Sequence, residues 1–140
     1  MSVGAMNGEE IRALLRHLES TPNFPRLTGI EWSTVTPGKA VCHLSIRAEH
    51  LNGAGAVHGG VHATMMDSAM AVALLAMGHR VSTTQMSVHY VAPVTGERIN
   101  CTAKYVYSTR RTALAEARIH DEHGTTLAMA TASFHIFEKE

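Results

Sequence analysis

Aromatic residues are scarce in this chain: 5% of its 140 residues, as one tryptophan, three tyrosines and three phenylalanines. That is too few rings for a base-stacking surface on single-stranded nucleic acid. An excess of one charge is also absent, since 12 basic residues balance 12 acidic ones. No strong general field draws the chain to nucleic acid or to an anionic membrane. Cysteine is limited to Cys42 and Cys101, neither in a CxxC pair. This speaks against a zinc knuckle and leaves a single disulfide open. The opening residues hold no basic segment followed by an apolar run, so no secretory signal is expected and a cytoplasmic location is. There is no HExxH, because Gly59 stands between His58 and His62 where the glutamate would be.

What is present fits one domain over residues 1–140, a length sufficient for one real core and too short for two ordinary ones. No repeat, linker or low-complexity segment divides it. Residues 7–20 predict an amphipathic helix: Asn7 and Glu10 have capping-box spacing, and Ile11, Leu14, Leu15 and Leu18 form one stripe. Thr21-Pro22 stops it. Two strands, 29–36 and 39–46, flank the turn dipeptide Pro37-Gly38. After Gly78 the chain is strand-like: 82–92, 98–107, 112–120 and 125–137, divided by polar or Gly-containing turns. Strict alternation in the first of these sets Thr84, Met86, Val88 and Tyr90 against Thr83, Gln85, Ser87 and His89. The expected fold class is α+β: an antiparallel sheet of five or six strands around one long helix, with a short helix in front.

The long helix, over about 60–78, is the organising element. The run from Leu51 to Gly60 is small and Gly-rich, and the run from Val61 to Met77 is almost free of helix breakers. Its length approaches that of a membrane span, but His62, Asp67 and Ser68 interrupt it, which fits a buried helix better. A helix start offers unpaired N–H groups and partial positive charge, a place for an oxygen that becomes negative during a reaction.

Asp67 is either an ordinary helix acid, paired with a base such as Arg80, or a functional carboxylate. Asn52, His58, Gly59 and Gly60 converge on the start of the same helix, and with Asp67 they make an acyl-transfer constellation. Gly59 and Asp67 lie eight residues apart, about 12 Å along a helix axis. An attacking group must come within about 3–3.5 Å of its carbon, so one subunit cannot use both on the same carbonyl. Two such helices, antiparallel across a twofold axis, can. A catalytic role for these residues therefore predicts a dimer with two shared sites. His58 and His62 at i, i+4 with Asp67 also allow a metal site, which is disfavoured because His58 falls off the regular face of a helix that begins near Gly60. Arg110-Arg111 is either a solvated reversal or a phosphate anchor. Met65, Met66, Met70 and Tyr90 are either core or pocket wall.

The pattern N-x5-HGG-x6-D, from Asn52 through His58-Gly59-Gly60 to Asp67, resembles the hotdog-fold acyl-CoA thioesterases of the phenylacetate-degradation (PaaI) type. The segment Thr83–Tyr90 with Pro93, the pair Arg110-Arg111 and the turn 121–124 resemble them too. The resemblance implies acyl-CoA as substrate, homodimers that pair into homotetramers, and no metal or redox cofactor. By position, it implies that the Gly59 N–H polarises the thioester carbonyl. Asp67 of the second subunit acts as nucleophile or general base. Asn52 orients water or substrate, His58 positions the thioester or assists the leaving thiol, and Thr83 holds the water. Gly60, Met66 and Tyr90 adjoin the substrate, and Arg110 and Arg111 lie near the phosphates of coenzyme A. Two other functions compete: a dehydratase or hydratase of the same fold, and a non-catalytic acyl-CoA-binding or regulatory module.

Overall fold

The computed structural model describes residues 4–94 and 96–138. The first helix, α1 (Gly8–Ser20), has the capping box its sequence predicts: Asn7 accepts from the Glu10 N–H, and Glu10 accepts in return from the Asn7 N–H. A five-residue helix, α2 (Phe24–Thr28), follows, and sequence reading misses it. Its signals are local. The Asn23 side chain caps the Arg26 N–H, Pro25 sits in the first turn, and Gly29 ends it in the left-handed region at φ 101°.

Strands β1 (Glu31–Thr36) and β2 (Lys39–Ser45) form the expected hairpin. A 3-10 turn (Ala48–His50) and a loop lead to the long helix α3 (Gly59–Ala76). Then come β3 (Arg80–Tyr90), β4 (Arg98–Ser108), β5 (Thr112–His120) and β6 (Thr126–Phe137). All pairs are antiparallel, in one six-stranded sheet ordered β1-β2-β4-β5-β6-β3. The edges are therefore β1 and β3.

The sheet wraps α3 because its inner face is built of small residues. One row crosses all six strands: Val35, Ala40, Ala103, Ala117, Ala130 and Val88. Alanines at the waist let the helix approach closely, and its large side chains Met65, Met66, Met70 and Leu74 fill the space, fully buried. Met66, expected as a possible pocket residue, is thus core. One position before Asp67, it is turned about 100° away from it into the sheet. Cys42 and Cys101 face each other across β2 and β4 as buried free thiols. Hydrogen bonding to Cys42, then burial, pushes the Cys101 thiol well above its ordinary range.

Candidate active site

The two ends of the useful stretch of α3 are built differently. At its start, His58 caps the helix: its Nδ1 accepts from the Gly60 N–H at 2.8 Å. The accepting Nδ1 leaves the ring proton on Nε2, at an exposed side chain. A Cβ at Gly60 would sit 2.9 Å from that Nδ1, so a larger residue there displaces the capping ring. Among the described residues the Gly59 N–H has no hydrogen-bond partner. It is an unpaired donor at the helix start.

Tyr90, at the end of β3, closes over this point. Its hydroxyl donates to the Gly59 carbonyl at 2.9 Å, and its ring lies against the glycine. The preceding loop is held by Asn52, whose Oδ1 accepts from the N–H groups of Ala54 (2.9 Å) and Ala56 (3.1 Å). Asn52 therefore offers only its amide N–H groups to a substrate. Asn52, Gly59, His62 and Tyr90 line a cleft of about 300 Å³.

Two turns along α3, half-buried Asp67 accepts through Oδ1 a hydrogen bond from the Thr83 hydroxyl at 2.6 Å. Strict alternation had turned Thr83 to the other face. The pairing of β3 with β6 shifts register between Thr83 and Gln85, leaving Thr84 as an extra residue. A bulge of this kind reverses the phase of every side chain on one side of it. Thr83 thus joins Met86, Val88 and Tyr90 on the helix face, and the Thr84 hydroxyl bonds instead to the Ser133 carbonyl. Asp67 and Thr83 line a second, largely apolar cleft of about 560 Å³. The structure thus brings Thr83 to Asp67 and Tyr90 to Gly59, but leaves the two pairs in separate clefts.

Arg110 and Arg111 occupy the exposed β4–β5 turn, where Arg110 pairs with Glu138 at 2.7 Å. The register sets Thr83 beside Phe134 and Phe134 beside Ala113. The arginine turn thus lies at the Asp67 end of the sheet. No three metal-ligating side chains converge among the described residues.

His62, in sequence a polar break in the apolar helix and a possible ligand, has a different character in the structure. It is 3% exposed, neither ring nitrogen has a partner among the described residues, and its ring lies tilted against Tyr90, centroids 5.8 Å apart. The other buried histidine, His50, is satisfied: Nδ1 accepts from the Arg47 N–H, and Nε2 bonds to the Thr28 carbonyl. Burial lowers the His62 pKa from the ordinary value of 6.5. The unfolded chain then binds this proton more readily, so stability is complete above about pH 6.5 and falls as pH drops towards the depressed folded value. An unpaired buried polar group costs about 1–3 kcal/mol. His62→Leu is expected to raise the thermal midpoint by about 3 °C or more and to flatten the loss on acidification. Thermal scans from pH 7.5 to pH 5 check both. A lower midpoint at pH 7 would show that the imidazole has a partner in the working protein.

The chain is similar to known proteins in both sequence and fold. Residues 54–128 match the family model described as the thioesterase superfamily. Human acyl-coenzyme A thioesterase 13 is 32% identical over 99 residues, covering 68% of this chain and 71% of the relative. The crystal structure of zebra fish thioesterase superfamily member 2 is 25% identical and superposes with a TM-score of 0.83, over 95% of this chain and 100% of that one. A variant of the phenylacetic acid degradation protein PaaI from Thermus thermophilus is 29% identical, with a TM-score of 0.77 over 81% and 98% of the two chains. The six-stranded sheet around α3 is the hotdog fold of these neighbours, and the chain belongs to the thioesterase superfamily, whose chemistry is thioester hydrolysis.

Proposed function

We propose that the protein hydrolyses acyl-coenzyme A, with an aryl or medium-chain acyl group, to the free acid and coenzyme A at sites shared between two copies. One observation carries this reading. A free backbone N–H at Gly59 and a carboxylate at Asp67 share one helix but open into different clefts. A second copy completes the set. The edge strand β3 is 11 residues long, and its outer side has no neighbour in the sheet. Antiparallel pairing with β3 of a second copy, centred on Ser87 once the extra residue Thr84 is allowed for, sets Thr83 of each copy opposite Tyr90 of the other. Each Asp67 then faces the Gly59 of its neighbour, in a homodimer or in a homotetramer of two such dimers.

In that site the thioester oxygen accepts from the Gly59 N–H, which gains strength as charge develops on the oxygen. Asp67, held by Thr83, attacks the carbonyl carbon or takes a proton from the attacking water. The carbon–sulfur bond breaks, and the exposed Nε2–H of His58 faces the departing thiolate. Water supplies OH to the acyl carbon and a proton to the sulfur. Asn52 donates to water or substrate, Gly60 keeps the helix start open, and Arg110 and Arg111 meet the phosphates of coenzyme A.

The test is release of free thiol from phenylacetyl-, benzoyl-, hexanoyl- and palmitoyl-CoA. Turnover of at least one is expected. Silence across the panel, with a ligand-shifted melting curve, would favour a binding module instead.

A further inference from the structure

The cleft beside Asp67 is built largely by residues that the reaction does not use. Its floor is one face of α3, carrying Asp67, Ala71 and Leu75, and its walls include Leu18 of α1, Phe24 of α2 and Trp32 of β1. These wall residues all precede the span 54–128 that matches the superfamily. Thr64, Asp67, Ser68 and Thr83 group its hydroxyl and carboxylate side chains at one end. Past Ala71 the helix contributes only hydrocarbon. Phe24 is 64% exposed at this cleft, a large apolar ring left in water.

We propose that α1, α2 and β1 wall a channel for an unsubstituted alkyl acyl chain, and that Ala71, Phe24 and Trp32 set the chain length accepted. The inference rests on Asp67 being the acid at the thioester. A chain entering there runs along α3 towards Leu75, eight residues further on, which is about 12 Å and room for an extended chain of roughly eight to ten carbons. Ala71 lies one turn past Asp67, and its single methyl leaves the path open. A larger side chain there meets the substrate a few carbons from its carbonyl. Trp32 lines the channel from β1, and Phe24 covers it from α2.

The probes are S-alkyl-coenzyme A thioethers from butyl to tetradecyl, which contain no hydrolysable ester, titrated by calorimetry. Wild-type affinity is expected to rise by up to about fourfold per buried methylene, then level off near decyl. Ala71→Phe should bind the butyl compound normally and lose the rise beyond it. Phe24→Ser changes an exposed side chain and does not endanger the fold. It should weaken dodecyl binding by about tenfold and leave butyl binding unchanged, deciding the matter should Ala71→Phe fail to fold. Affinity independent of length in the wild type, or the same length profile in both variants, would overturn the channel. Binding that lengthens and truncates as described, in a protein releasing no thiol from any acyl-CoA, would overturn hydrolysis and leave the channel standing.

Discussion

Asp67→Asn should lower turnover by roughly 10³-fold or more while leaving the fold intact. The two side chains have nearly the same shape, and the Asn oxygen still accepts the Thr83 hydroxyl that Asp67 accepts at 2.6 Å. What disappears is the negative charge, and with it both candidate roles, nucleophile and base. Because Asp67 is half-buried at the rim of a cleft rather than sealed in the core, removing the charge leaves no orphaned partner. Thiol release measures the loss, and circular dichroism with gel filtration verifies the fold and the oligomer. Turnover within tenfold of wild type in a folded Asp67→Asn protein would remove Asp67 from the mechanism.

Gly59→Ala should cost about 10²–10³-fold in turnover through a different route. The added Cβ would lie 3.0 Å from Cζ of Tyr90 and 3.1 Å from its Cε1 and Oη. The backbone is not strained by the change, so the tyrosine side chain must give by a few tenths of an ångström, which loosens its bond to the Gly59 carbonyl. The contact that aims the helix-start N–H is then less exact. A steric cause predicts non-additivity: with Tyr90→Ala in place, Gly59→Ala should cost little more. The pair of inactive variants also tests the shared site. In a heterodimer of Asp67→Asn with Gly59→Ala, one site carries both lesions and the other carries neither. Random mixing should restore roughly a quarter of wild-type turnover. No recovery in exchanged, verified heterodimers would place Gly59 and Asp67 in the same subunit's site.

Much of this is legible in the sequence. Six strands could be read because the sheet has one buried face, and burial on one face writes period-two alternation, as along Thr112–His120. The bounds of α3 were legible to within a residue or two, because a capped Gly-rich start and Gly78 bracket it. The spacing from Asn52 to Asp67 carried the candidate site. Besides the bulge at Thr84, other features were not legible. The helix α2 is a single turn, too short to show periodicity, and only its Asn23 cap and Pro25 betray it. The partnering of Tyr90 with Gly59, across 31 residues, is a product of sheet order. The isolation of His62 depends on what surrounds it in space, and neighbours in sequence cannot report that.

The extra residue at Thr84 has a consequence for how such a site changes over generations. It divides β3 into two segments with independent phase, one carrying Thr83 to the acid and the other carrying Tyr90 to the helix start. Lengthening or shortening the strand by one residue at that point re-aims the hydroxyl beside Asp67 without disturbing anything around Gly59. The surroundings of Gly59 and those of Asp67 can then change independently.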